Sequence, residues 1–209
     1  MKIRNILSGA VIAGASLSAH AGYLLTQDFS NVAGLAGAGW AQVNLGGAGS
    51  GWFQGIGAPV MDGVGGPADN TYAAANWVGT TTSISDWLMT PVLTLGSGVT
   101  INFDLRLLGD GYLDTVEVWA SAAGASTNTA DFSLLTSFSS MTDTGWASKS
   151  VASGVNGSGR IAFRYVVANT NFDGNYVGID NLAVVPEPAS LALVALALVG
   201  AAAARRRRG

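Results

Sequence analysis

Cysteine is absent from the 209-residue sequence, and histidine occurs once, as His20. Without cysteine the chain has no disulfide framework, so packing or a bound ion must hold the fold. His20 lies in an N-terminal targeting segment that we expect to be removed. The mature protein then lacks the residues needed for Ser-His-Asp or Cys-His catalysis, histidine general-base chemistry and the usual zinc and haem sites.

Positive charge is also scarce. Residues 22–185 contain four basic and twelve acidic residues, which gives this segment a formal charge of −8. An acidic surface repels phosphate backbones, and without a patch of Lys and Arg no release of counterions can drive nucleic-acid binding. We therefore do not expect nucleic acid as a partner.

The first 21 residues have the composition of a secretion signal. Two basic residues at the start are followed by an apolar stretch, 6–17, and Ala19 and Ala21 form an A-x-A cleavage pattern. The apolar stretch is shorter than the roughly 20 residues that a membrane-spanning helix requires. We predict that residues 1–21 are a signal peptide cleaved after Ala21.

Residues 22–185 alternate between apolar and polar side chains, as half-buried strands do. The clearest strand is Val99–Leu107, where Asp104 and Arg106 share the polar side and are expected to form a solvated pair. Glycines interrupt 32–41 and disfavour a helix there, so loop and strand are expected. Several strands without a convincing helix predict a single all-β domain, a jelly-roll β-sandwich.

The last segment, 186–209, combines a proline-rich breaker, an apolar stretch and a basic end. Its apolar residues, 189–204, would span about 24 Å as a helix, slightly less than the hydrocarbon core of a bilayer at about 30 Å. The positive-inside rule keeps the arginines cytoplasmic and the acidic body across the membrane. The breaker and the basic end comprise Pro186, Glu187, Pro188, Arg205, Arg206, Arg207 and Arg208.

This tail resembles the PEP-CTERM sorting signal of Gram-negative bacteria that make extracellular polysaccharide. The resemblance implies recognition by an exosortase, cleavage near residues 186–188, and release or transfer to the cell envelope, with only transient contact with the inner membrane. A simple tail anchor, with 189–204 as a permanent transmembrane helix, is the alternative.

The body resembles the choice-of-anchor J family, which is similar to cleaved-adhesin and MAM-type jelly-roll modules. The resemblance covers nearly all of residues 27–184, and it implies a β-sandwich exported to the cell surface. The motifs that carry it are Asp28-Phe29, Gly39-Trp40, Trp52-Phe53-Gln54-Gly55, Ser85–Pro91, Arg160–Tyr165 and Gly178–Leu182.

Two aspartates are candidates for a structural calcium site. Asp28 lies near the first predicted strand and Asp180 lies in the last, and the first and last strands of a jelly roll often lie side by side. Calcium takes six to eight oxygen ligands, and acidic exported domains often meet it outside the cell. The alternative is that both carboxylates cap turns or accept backbone hydrogen bonds.

Exposed aromatic residues and a lone glutamate define two further hypotheses. Trp77 and Trp146 flank polar turns and are predicted to be exposed, where they could stack on sugars, whereas Trp87 and Trp119 are predicted to be buried. Glu117 is the only glutamate of residues 22–185 and is expected to face solvent. Because glycoside hydrolysis requires a pair of carboxylates, a hydrolase centred on Glu117 is the least favoured function.

The leading hypothesis is an exported, exosortase-processed surface or extracellular-matrix protein with a non-catalytic role in adhesion or structure within a polysaccharide or biofilm layer. Its expected partners are the exosortase and extracellular polysaccharide or surface proteins. A carbohydrate-binding module acting alone is the alternative. No enzyme activity is predicted.

Overall fold

The alternation of apolar and polar residues produces two antiparallel sheets in a computed structural model. The model describes residues 22–47, 49, 51–56, 71–79, 82–96 and 98–186. The predicted signal peptide, the apolar stretch 189–204 and the arginine cluster lie outside the described residues. No helix among the described residues is long and apolar enough to cross a membrane.

The described strands confirm the predicted all-β fold. The strands are Leu25–Gln27 (β1), Ala41–Asn44 (β2), Phe53–Ile56 (β3), Thr71–Asn76 (β4), Ile84–Met89 (β5), Leu93–Leu95 (β6), Thr100–Leu107 (β7), Asp114–Ser121 (β8), Ser133–Ser140 (β9), Ala147–Ala152 (β10), Gly157–Val167 (β11) and Tyr176–Val185 (β12). The first sheet has the order β10-β7-β12-β4-β3, with β1 also pairing with β12. The second has the order β2-β5-β11-β8-β9, with β6 also pairing with β11.

The core lies between the sheets and is built from the apolar side of each strand. On β7, the side chains of Ile101, Phe103 and Leu105 are at most 2% exposed. Phe103 meets Phe163 of β11 edge to face, with ring centroids 4.9 Å apart, a favoured arrangement of aromatic rings. The predicted alternation therefore specifies both the strand and the face that it buries.

A short 3-10 helix occupies Val32–Ala38, where loop and strand were expected. The Asn31 side chain caps it by accepting a hydrogen bond from the Gly34 amide at 3.1 Å. In a 3-10 helix residues three apart lie above one another, and this spacing buries Val32 and Leu35 together in the core. The glycines thus exclude a regular α-helix but not this tighter one.

The predicted pairing of Arg106 with Asp104 is wrong. Arg106 is 2% exposed, and its Nε and Nη2 donate to both oxygens of Asp143, at 3.0 and 2.7 Å. This hydrogen bonding lowers the pKa of Asp143. Asp104 accepts hydrogen bonds from Ser148 and Asn181 instead. The segment after β9 brings Asp143 over the outer face of the first sheet, where the bidentate geometry suits an Arg–carboxylate pair.

Asp86, in the Ser85–Pro91 motif, places a carboxyl group on the core side of β5. It lies opposite Tyr165 of β11 and is 3% exposed, and its Oδ1 has no hydrogen-bond partner. Burial raises the pKa of Asp86 from its ordinary value of 3.8 to about 6. Because the neutral form is favoured in the folded state, this group stabilises the fold below pH 4, and that contribution is lost as the pH rises to about 6.

We predict that Asp86→Asn removes this pH dependence. Relative to the native protein, the variant should gain up to about 3 kcal/mol in its free energy of unfolding between pH 4 and pH 7, since an amide carries no charge. Urea denaturation at both pH values measures the gain. A difference between the two proteins that is the same at pH 4 and pH 7 would contradict the prediction.

Candidate functional site

Four loops meet at one end of the sandwich, which we call the loop end. β7 ends beside the start of β12, where Leu107 pairs with Val177, and β8 starts beside the end of β9, where Asp114 pairs with Ser140. Antiparallel pairing therefore places the connections between these strands at the same end. The described loop residues are 77–79 and 82–83, 108–113, 141–146 and 168–175.

The carboxylate of Asp114 holds this end together. Asp114 is fully buried, and its Oδ1 accepts hydrogen bonds from the Tyr165 hydroxyl and the Asn175 amide, both at 2.7 Å. Its Oδ2 accepts from the amides of Gly109 at 2.8 Å and Tyr176 at 3.3 Å. One side chain thus joins β8 to β11, to the start of β12 and to two of the loops.

The electrostatics of this group follow from its burial. Desolvation raises the pKa of Asp114, and the hydrogen bonds, with that from Asn175 the strongest, oppose this shift. Desolvation and the neighbouring Asp114 charge both raise the pKa of Tyr165. The phenol therefore remains a protonated donor, and Asp114 is a structural acceptor with its hydrogen-bonding capacity occupied.

The loops also bond directly to one another. Gly109 has a positive φ of 65° and lies against the backbone of Met141 so closely that a Cβ atom would overlap it. The backbone hydrogen bonds between loops run from Trp77 to Asn175, Thr170 to Thr82, Gly111 to Met141 and Gly174 to Leu113. These contacts fix the relative positions of the four loops.

Large apolar side chains at the loop end are exposed to solvent. Ten such side chains are exposed among the described residues, and six of them lie on these four loops. Phe172 is 72% exposed and Trp77 is 42% exposed. We call the six the apolar rim: Trp77, Val78, Tyr112, Leu113, Met141 and Phe172.

The predicted tryptophan positions are only partly correct. Trp77 is exposed and Trp87 is buried, as expected, but Trp119 is only half-buried. Trp146 is half-buried rather than exposed, and its ring lies against Gly178. The absence of a side chain at Gly178 creates the space that this ring occupies.

Glu117 lies on the outer face of the second sheet, where its side chain is 16% exposed and binds two neighbouring side chains. Its Oε2 accepts from Arg164 at 3.1 Å and from the Trp119 indole at 2.9 Å. Arg164 also lies over the Trp87 ring, 5.4 Å from its centroid. The expected solvent-facing position is therefore wrong, because the neighbouring strands supply partners for this carboxylate.

The two calcium candidates lie near the pairing of β1 with β12, so the first and last strands are adjacent as expected. Asp28 is exposed at a cleft of about 430 Å³ that Asn181 also lines, and the amide of Ser30 lowers its pKa. Asp180 is buried opposite Asp104 and does not line this cleft.

The donor set at this place is small for calcium. In the part of the chain that the structure describes, no group of three or more acidic, histidine or cysteine side chains is arranged to hold a metal. A calcium ion near Asp28 would therefore depend on amide and backbone oxygens for most of its six to eight ligands. Calcium at Asp28 and Asp180 stays a prediction.

Comparison with known proteins identifies the tail and the fold. Residues 184–208 match the family model described as the PEP-CTERM protein-sorting motif, which indicates an exported cell-surface protein. No curated protein matches the chain. The resemblance to the choice-of-anchor J family stays a prediction.

Cleaved adhesin domains are among the solved structures that share the sandwich architecture. The K1 cleaved adhesin domain of Lys-gingipain from Porphyromonas gingivalis is 22% identical, with a TM-score of 0.60, and the match covers 77% of this chain and 96% of that domain. The K3 domain of the same protein is 20% identical, with a TM-score of 0.59, over 79% and 98%. At these identities the likeness shows the fold alone.

We predict that Asp114→Asn destabilises the protein. The amide would present an NH₂ group to backbone donors, and each buried donor left unsatisfied costs about 1–3 kcal/mol. A loss of about 3 kcal/mol corresponds to a Tm roughly 6–12 °C lower for a domain of this size. Thermal unfolding followed by circular dichroism measures it, with the exposed Asp110→Asn as the control. A Tm within about 2 °C of the native value would contradict the role of Asp114.

We predict that calcium raises the Tm of the purified mature protein, because a ligand that binds only the folded state stabilises it. EDTA should lower the Tm, and Asp28→Asn should abolish the difference between calcium and EDTA. The same Tm in calcium and in EDTA would refute the site.

Proposed function

We propose that the chain is an exosortase-processed protein of the bacterial cell surface or extracellular matrix, and that its β-sandwich has a non-catalytic adhesion role. The observation that carries the proposal is the position of the sorting motif, which begins at residue 184, within β12. This strand pairs with β1, β4 and β7. The sorting signal therefore follows the folded domain without an intervening linker.

The hydrogen bonding and burial of the acidic residues support a non-catalytic role. Asp114 accepts four hydrogen bonds, and Glu117 is bound by Arg164 and Trp119. Asp86 is buried on the core side of its strand. None of these carboxyl groups has the free partner carboxylate in a substrate cleft that glycoside hydrolysis requires.

A carbohydrate-binding role is the second candidate, and its structural support is Trp77. An exposed indole provides a stacking surface for a sugar ring. Trp146 offers no comparable surface, because its ring packs against Tyr72, with centroids 5.0 Å apart. A sugar site would therefore be built around Trp77 alone of the two predicted residues.

We predict that the native host releases a processed form. Intact mass spectrometry of the protein outside the inner membrane should show a product that starts at Gly22 and ends near Pro186. Replacing residues 186–188 with alanine should leave the protein in the inner membrane with its arginine cluster, because the exosortase would no longer recognise it.

The matched control is Pro91→Ala, which replaces a proline outside the sorting motif and should be processed normally. A native protein that keeps Arg205–Arg208 and stays in the membrane would instead establish a tail-anchored envelope protein and refute processing.

A further inference from the structure

We propose that the apolar rim is a docking surface for a protein segment that presents apolar side chains between Lys or Arg residues. The inference rests on the proposed function, since it supplies the contact through which an exported adhesion module would act. Single exposed apolar residues are ordinary on a protein surface, but several on adjoining loops indicate an interaction site.

The rim is held in a defined shape before any partner binds. The rim residues Trp77, Leu113 and Met141 each take part in a backbone hydrogen bond to a neighbouring loop. Asp173 adds a further link by accepting from the Leu113 amide at 3.1 Å. Preorganised loops lose little conformational entropy on binding, so a partner can bind this surface at a small entropic cost.

The negative charge of the loop end favours a partner with basic side chains. The rim loops contain Asp110, Asp143 and Asp173 and no lysine or arginine. Asp143 is neutralised by Arg106, whereas Asp110 and Asp173 have no ion pair among the described residues. Three of the six rim side chains are aromatic rings, which also attract cations. Carboxylates without an ion pair beside exposed rings are complementary to lysine and arginine side chains.

The same chemistry disfavours other occupants. A second copy of the chain docked rim to rim would bring like carboxylates together, and an anionic lipid surface would be repelled. Sugars stack on aromatic rings within concave sites that also carry converging polar groups. Val78, Leu113 and Met141 have neither an aromatic ring nor a polar group that a sugar could bind. This aliphatic half of the rim therefore fits an apolar protein surface better than a glycan.

The test uses mature protein purified from its host and a fluorescein-labelled peptide of alternating leucine and arginine, with binding measured by anisotropy. Two control peptides replace either every arginine with glutamate or every leucine with serine. The native protein should bind the leucine–arginine peptide at least about tenfold more tightly than either control. Equal binding of all three peptides, or no binding, would overturn the proposal.

Variants locate the contact. Phe172→Ser should weaken binding at least about fivefold, and Phe172→Tyr should stay within about twofold because it keeps the ring. Asp110→Lys should weaken binding in dilute buffer, with a smaller loss at high salt because salt screens exposed charges. Leu134→Ser removes another exposed apolar side chain, 49% exposed, that lies on β9 outside the rim, and it should change nothing. All variants should melt like the native protein.

Three results would refute the proposal. One is a Leu134→Ser loss as large as that of Phe172→Ser, and another is concentration-dependent dimerisation abolished by Phe172→Ser. The third is retention on an uncharged polysaccharide that Trp77→Ser removes, which would assign the loop end to carbohydrate. None of these results bears on processing by the exosortase, which the mass of the released protein reports separately.

Discussion

The buried carboxylate of Asp114 is the interaction on which the loop end depends. Buried backbone N–H groups must find an acceptor, and three such groups turn towards Asp114 together with the Tyr165 hydroxyl. The chain has no disulfide available for the same purpose. In many exported proteins a disulfide holds neighbouring loops and strands together. In this domain the buried, fully hydrogen-bonded carboxylate of Asp114 holds them together instead.

Aromatic side chains pack against one another on the outer face of each sheet. On the first sheet, Trp146 lies over Gly178 and packs on Tyr72. On the second, Trp87 and Trp119 pack at 5.2 Å between ring centroids. Because these aromatic residues pack against one another, most of the exposed large apolar side chains, six of ten among the described residues, lie at the loop end.

The sequence predicts local features well and non-local ones poorly. Alternation predicts a strand at Val99–Leu107, and β7 occupies Thr100–Leu107, because the period of a strand is visible within a few residues. The pairing of Arg106 with Asp143 spans 37 residues, and no local pattern encodes it. Trp146 is half-buried because its ring lies against Gly178. This contact joins residues that are distant in the sequence, so no local pattern encodes it either.

Asp114 illustrates the same limit at the candidate site. In the sequence it is one aspartate near a glycine-rich turn, and its neighbours along the chain do not distinguish it from Asp110. Only the fold shows that Asp114 is fully buried while Asp110 is exposed. A run of glycine and aspartate between two alternating segments predicts a turn, but not which carboxylate faces inward to collect the loop amides.

The few basic side chains of the body are used within the fold. Arg106 binds Asp143, Arg160 binds the carbonyl oxygen of Gly39, Arg164 binds Glu117, and Lys149 lies over the Phe138 ring. The body surface is therefore dominated by carboxylates, while four arginines are concentrated in the tail. This separation agrees with the positive-inside rule while the tail is attached. Removal of both the signal peptide and the tail, as proposed above, would lower the net charge from −3 for the whole chain to the −8 of the body, so processing itself would strengthen the attraction of cationic partners.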